Sequence, residues 1–450
     1  MENKSLVEKR APSDWKVVPL RYLVDSIETG DRDASFEPTE DDPGVLSIGG
    51  EHFNGMGDWQ LASPRYISED MFEELSGGCI KEGDTLLVKD GATTGKAKYV
   101  DILPEDRAAA NEHVYVIRPS NKLHPKLVSY QIQSDLFQAQ LQTFIRGSAQ
   151  EGLPTTFSMN VYLAVPPQAL QSSIANYLSG KVEGINKAIS KFEDVQQKLK
   201  ERKRAYLSKR VTKGTSEGTI TKETKIPWID EIPAHWDVIP LKYLAEIQTG
   251  VAKGGNKDID GKSKTVPYLR VANVQDGYLD LSEVKEIELP ASKVKKYLLE
   301  EGDVLMNEGG DYDKLGRGTV WTGEIDPCVH QNHVFCVRPN NKGYSDWISK
   351  ATESSYLKHY FIIESKQSTN LASISVMDLG ETPIIWPPKE ERQKILSDIE
   401  EEEDKINQLL EKIEKGINLL QEQRQAYITT VTTGQIDVAR NNIASQEANV

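Results

Sequence analysis

The sequence predicts an α+β protein: two globular lobes joined by two long antiparallel coiled-coil helices, a pseudo-twofold tandem repeat. Two observations carry this. The chain is written twice, and each copy ends in a long amphipathic stretch behind a double proline.

The bulk figures frame the prediction. The chain has 450 residues, too many for one small core, so two or three domains are expected. With 38% hydrophobic and 27% charged residues the composition is that of a globular protein. No stretch supplies the roughly 18 apolar residues of a membrane span. The opening "MENKSLVEKRAPSDW" lacks the apolar core of a signal peptide, so a cytoplasmic protein is expected. Three unevenly spaced cysteines (Cys79, Cys328 and Cys336) suit a reducing compartment. The net charge of −15 speaks naively against nucleic acid, but binding depends on where the basic groups sit.

The duplication is direct. "WKVVPLRYL" from Trp15 recurs as "WDVIPLKYL" from Trp236, and "IETG" from Ile27 as "IQTG" from Ile247. "KEGDTLLVKDG" from Lys81 matches "EEGDVLMNEGG" from Glu300, and "NEHVYVIRPSN" from Asn111 matches "QNHVFCVRPNN" from Gln331. "AVPP" and "RAYL" recur as "IWPP" and "QAYI", all in the same order at an offset of 219 to 221 residues. Chance does not supply six collinear matches, so the chain is a tandem repeat. Its start, "EKRAPSDWKVVPL", also resembles the join "IDEIPAHWDVIPL", as if cut from one repeating circle.

Each front part carries short β-rich runs ("DTLLV", "HVYVIRP", "DVLMN", "HVFCVRP") broken by Gly, Pro and Asn. Behind each double proline, a natural helix start, the pattern turns helical. Val182, Ile185, Ile189, Phe192, Leu199 and Tyr206 recur at three- and four-residue steps, as do Ile406, Leu410, Ile413, Ile417, Leu420 and Tyr427. The two stripes share one phase, and even the interruption repeats, Lys203 falling on Arg424. One such helix could lie on its own lobe; two in phase predict mutual pairing as a coiled coil. Roughly 38 residues make a rod of about 55–60 Å. The expected divisions are a first lobe (1–165), a spacer helix (166–214), a linker (215–235), a second lobe (236–386), a second spacer helix (387–434) and a tail (435–450).

Three signals suggest chemistry, and none of them holds. "KDGATTGK" (Lys89–Lys96) looks like a phosphate loop, but Gly91 to Gly95 is one residue short of the Walker spacing. Ala97 replaces the hydroxyl that should ligate magnesium, "KAKYV" reads as strand, and the second copy, "NEGGDYDKLGRG", loses the Gly-Lys pair. Cys328, His330, His333 and Cys336 invite a zinc reading, yet residues three apart on a strand face opposite ways. The first copy keeps only His113 in that frame, so His113 and His333 read as hydrogen-bonded core or groove-edge residues. No Asn-Pro-Pro-Tyr/Phe signature appears, and Glu364-Ser365-Lys366 is half of a nuclease motif without an acidic partner. What remains is one frame carrying two unlike loops, which suggests two readers of two different things.

The duplicated "WDVIPLKYL", the "EGD-[TV]-L" strand before a variable loop, "NEHVYVIRP/QNHVFCVRP" and the "PP" before each helix resemble the specificity subunit of a type I DNA restriction–modification enzyme. The resemblance covers essentially residues 11–434 and rests on the architecture, not on one motif. It implies two target-recognition domains (1–165 and 236–386), each gripping half of a bipartite, asymmetric DNA target, with the helices as spacer. It also implies docking of two methyltransferase subunits and, through that core, of translocating restriction subunits. The chain itself would be non-catalytic and carry no cofactor; S-adenosylmethionine, ATP and Mg would belong to the partners. The alternative is a coiled-coil scaffold whose two homologous lobes bind proteins.

For DNA contact, Lys and Arg suit phosphates, and Arg, Lys, Asn, Gln, Ser or Thr suit base edges. The first lobe offers Lys89, Thr93, Thr94 and Lys96 on the glycine loop, with Arg146, Ser148 and Gln150 on "RGSAQEG". The second offers Asn307, Lys314 and Arg317, with Lys366, Ser368, Thr369 and Asn370 on "SKQSTN". Each taken singly could be a merely solvated side chain. The basic cluster "KERKRAYLSKR" (Lys200–Arg210) suits a helix C-terminus or a DNA or partner contact, and the acidic run "DIEEEEDK" (Asp398–Lys405) suits an N-terminal dipole. That run could pair with the cluster or a methyltransferase, or simply be solvated. The acidic "DRDASFEPTEDDPG" (Asp31–Gly44) is expected as an exposed loop facing away from DNA.

Overall fold

A computed structural model describes residues 2–32, 36–40, 42–55, 57–145, 152–216, 218–252, 263–310, 315–368 and 371–438, and only the backbone of 367, 368 and 371. The chain forms two compact units, one of residues 1–193 with 414–450 and one of 194–413. Each holds one lobe and a share of both long helices.

In the first unit a four-stranded antiparallel sheet runs in the order Val24–Thr29, Val114–Pro119, Thr85–Val88, Ala97–Tyr99. A three-stranded sheet runs Arg65–Ile67, Val45–Ile48, Ala108–Ala110, its last pair parallel. The second unit repeats both orders, with Ala245–Thr249, Val334–Pro339, Val304–Asn307, Gly318–Val320, and with Lys285–Pro290, Ser263–Leu269, Val329–His330. The uninterrupted apolar runs have a physical cause: these sheets are covered on both faces. Side chains alternate faces along a strand, so Leu87, Tyr115 and Ile117 enter one core while Leu86, Val88, Val114 and Val116 enter another. Met306, Phe335 and Val337 are split from Leu305, Val334 and Cys336 in the same way.

The repeated motifs fall at joints. Lys16–Pro19 pairs with Tyr162–Val165, and Asp237–Pro240 with Pro383–Trp386, so each "W-x-V-x-P" strand clamps the strand that leads into a long helix. The glycine closing "IETG" lies so close to its neighbour that a Cβ on Gly30 would fall 1.8 Å from the Ala110 carbonyl oxygen, and one on Gly250 2.1 Å from that of His330. Only glycine allows that approach.

The long helices are Gln168–Lys213, of 46 residues, and Lys389–Thr432, of 44, longer than the seam alone suggests. The added turns bury against the lobes: Ile174, Ala175 and Leu178 join Val128 and Phe137, while Ile395 and Ile399 join Trp236 and Trp347. Within the second unit the helices run antiparallel, since Lys203 reaches Asn407 and the later Tyr206 reaches the earlier Asp398. Within the first, the Phe192 ring lies beside Gly416. Val182, Ile189 and Ile406 are buried as the stripe predicts, but Phe192 remains 38% exposed, facing a residue too small to cover it.

Residues 215–235 include the hairpin Thr221–Glu223 with Glu231–Pro233, and Ile226 and Ile232 enter the second unit's core. Past the second helix, Val438 packs into the core of the first unit. In the stretch 31–44 the described residues form no helix or strand and are mostly exposed.

Candidate nucleic-acid interface

In each unit the glycine loop leaves the central strand from an anchored root. The Lys89 N–H donates to the His113 carbonyl at 3.0 Å, and the Lys89 carbonyl accepts from the Leu153 N–H at 2.7 Å. In the second unit the Glu308 N–H donates to the His333 carbonyl at 3.0 Å, and the Glu308 carbonyl accepts from the Ile374 N–H at 2.9 Å. The fold therefore brings together three segments that the sequence holds far apart: the glycine loop, the histidine before the "VYVIRP" or "VFCVRP" strand, and the chain beyond the second polar loop.

The far root is anchored too. Gly95 and Gly316 sit at φ +93° and +60°, conformations that favour glycine, and their carbonyls accept from Gln138 Nε2 at 2.9 Å and Lys358 Nζ at 3.2 Å. Beyond Gly95 the chain continues as the strand Ala97–Tyr99, where a phosphate loop would open a helix.

The expected contact residues divide sharply. Thr93 is exposed at the loop tip, Thr94 is half-buried with its hydroxyl on the Gly91 carbonyl, and Lys89 is half-buried with its ammonium 5.6 Å from the Tyr115 ring. Lys96 turns inward. Its ammonium donates to the carbonyls of Gly50 and Phe53, and burial lowers its pKa. Asn307 is 2% exposed and donates to the Val274 carbonyl at 2.9 Å and that of Val271 at 3.3 Å, which makes it a brace for a neighbouring turn. Arg317 is half-buried, with Nη1 3.4 Å from Gln275 Oε1. Lys366 is exposed, on a short strand that pairs with Leu371–Ser373. Of Ser368 the backbone alone is described, and it pairs with Leu371. Arg146, Ser148, Gln150, Lys314, Thr369 and Asn370 lie outside the described residues.

Spacing could not reveal the side-chain pairs at the loop roots. His113 Nδ1 lies 2.6 Å from Asp90 Oδ1, and His333 Nδ1 2.6 Å from Glu308 Oε2. A weak signal existed: both loops carry a carboxylate within their first residues although little else in them agrees.

Beneath the loops, the "EGD" and "RP" motifs meet. Arg118 forks onto Asp84 at 3.0 and 2.8 Å, and Arg338 onto Asp303 at 2.8 and 2.7 Å. Each aspartate also accepts the backbone N–H three residues earlier, at Lys81 and Glu300, both at 2.8 Å. Hydrogen bonding to Asp84 and Asp303 raises the pKa of both arginines. These repeated charged residues hold the frame, and the loops ride on it.

The zinc-like residues separate as well. Cys328 and Cys336 are buried in one apolar core, burial pushing the Cys328 thiol up to about 12, while His333 is 56% exposed. Among the described residues no group of His, Cys, Asp or Glu is placed to hold a metal ion, and no helix is long and apolar enough to cross a membrane.

A frame built twice, with unlike loops on like roots, defines a tandem two-lobed fold. The model of the family described as type I restriction modification DNA specificity domain matches residues 12–191 and again 233–419, one match in each copy. The chain belongs to that family. It is 28% identical over 194 residues to a putative type I restriction enzyme MjaX specificity subunit of Methanocaldococcus jannaschii, covering 42% of this chain and 45% of that protein. It is 22% identical over 317 residues to the type I restriction enzyme EcoKI specificity subunit of Escherichia coli, covering 67% of this chain and 63% of the relative. The chain thus spans about half to three fifths of these relatives' lengths. A solved chain reported under complex assembly and conformational transition of the type I R-M system superposes with a TM-score of 0.64 at 17% identity, over 95% of this chain and 99% of that one. That likeness fixes the fold alone.

Proposed function

We propose that this chain is the DNA-specificity subunit of a type I restriction–modification complex. The observation that carries the reading is the anchoring of unlike loops on equivalent roots in a chain of this family. The lobes at 1–165 and 236–386 act as target-recognition domains, one for each half of a bipartite, asymmetric target. The paired helices act as an antiparallel coiled-coil spacer that leaves a gap unread and docks two methyltransferase subunits; restriction subunits join through that core. The protein works in the cytoplasm and performs no catalysis; S-adenosylmethionine, ATP and Mg act on the partners.

Within the contact set, Lys89, Thr93, Thr94, Arg317 and Lys366 remain candidates, with Arg146, Ser148, Gln150, Lys314, Ser368, Thr369 and Asn370 on the polar loops. Lys96 and Asn307 act in support, because their polar groups are taken up by backbone carbonyls. The test is an exchange of residues 1–165 for the front half of a related chain, followed by methylome sequencing with the methyltransferase present. One half of the methylated motif should change and the other persist. An unaltered motif would point to the protein-binding scaffold instead.

A further inference from the structure

We infer that His113 and His333 are positioning residues that aim the two reading loops, each acting through a carboxylate supplied by the loop it aims. The inference rests on the proposed DNA-specificity function. Its basis is a contact that the two copies make with different residues. Counted from the shared "EGD", Asp90 aligns with Gly309 and Glu308 with Lys89. The carboxylate has moved one residue along the loop and gained a methylene, yet it meets the same ring nitrogen at 2.6 Å in both units. Loops that share so little sequence have kept one atomic contact by different means.

Geometry says what the contact does. Each histidine holds the loop twice, through its backbone carbonyl and through Nδ1, while the carbonyl of Lys89 or Glu308 binds the chain beyond the second loop. The direction in which the loop leaves the sheet is set by the histidine. Stability explains the retention poorly. The rings are 44% and 56% exposed, and a solvent-exposed polar contact of this kind adds little to a fold.

The outer nitrogens differ between the copies. His113 Nε2 lies 3.2 Å from Glu112 Oε1, itself 2.8 Å from Arg32 Nε, whereas His333 Nε2 lies 3.2 Å from the Asn332 amide. An amide N–H donates, so His333 Nε2 accepts and its Nδ1–H donates to Glu308. The two loops are therefore gripped alike and finished differently.

The test uses the chain assembled with its methyltransferase subunits and reads methylation rates on the cognate target and on targets with single mismatches in either half. His113→Asn or Asp90→Asn should cut discrimination roughly tenfold in the half read by the first lobe and leave the other half intact. His333→Asn should do the converse, with the thermal midpoint unchanged for all three. The exchange of His113→Asp with Asp90→His should restore discrimination. Unchanged discrimination in both halves would overturn the inference, as would equal loss in both, or loss that tracks the thermal midpoint and is not rescued. A wild-type assembly with no two-part motif would count against the proposed function instead.

Discussion

Single residues explain why the repeat kept some letters and let others drift. Asp303 is 1% exposed, and its removal takes the shared acceptor from the Arg338 fork and from the Glu300 N–H. Asp303→Ala should cost about 3 kcal/mol in urea denaturation, and Asp84→Ala a similar amount in the first unit. His330 is fully buried, its Nδ1–H on the Val334 carbonyl at 2.7 Å, and burial holds its pKa below 6.5, whereas the matching position in the first copy is Ala110. The unfolded chain binds a proton that the fold excludes, so stability is intact above about 6.5 and declines as pH falls below it, by up to ~1.4 kcal/mol per pH unit. His330→Leu should flatten that decline in pH-dependent melting of the second unit. In the sequence Asp84 and Asp303, like Arg118 and Arg338, are repeated letters and nothing more. An ion pair closed across 34 residues, or a lysine turned inward on Gly50, has no signature in spacing.

At the level of elements, the charged runs on the helices find distinct uses. Arg202 meets Glu402 at 2.7 Å on the surface, so the acidic run does pair with the basic cluster. Lys350 lies deeper, between Glu403 at 2.9 Å and Glu353 at 3.0 Å, and pins the second helix to its lobe. Burial lowers the Lys350 pKa, but the two carboxylates outweigh it and the net shift is upward; burial raises that of Glu353. Glu403→Ala should therefore cost about 2 kcal/mol in urea denaturation, while Arg202→Ala should cost under about 1 kcal/mol. Helices and strands were legible because period and punctuation declare them. The extra helical turns were not, since residues such as Leu178 look like ordinary amphipathic positions until the lobe they bury against is known.

For the whole molecule, the duplication was the most legible feature, and the two sheets repeat in the same strand order in both units. Which residues form one compact body was harder to see, because a helix stripe does not say which lobe will cover it. The first unit takes in residues 414–450, whose Val431 and Val438 share a core with Leu20, Val128 and Phe137, whereas the second is the continuous stretch 194–413. Deleting residues 414–450 should leave the second unit resistant to limited proteolysis and expose the first to rapid cleavage, as mass spectrometry of the fragments would show.

That discontinuous core also has a bearing on biosynthesis. At about 5–20 residues per second a ribosome needs some tens of seconds to pass from the first lobe to Val438. The lobe made first is thus completed last, and a nascent chain carries its leading end unfinished, with apolar surface open to chaperones, until its trailing helix emerges.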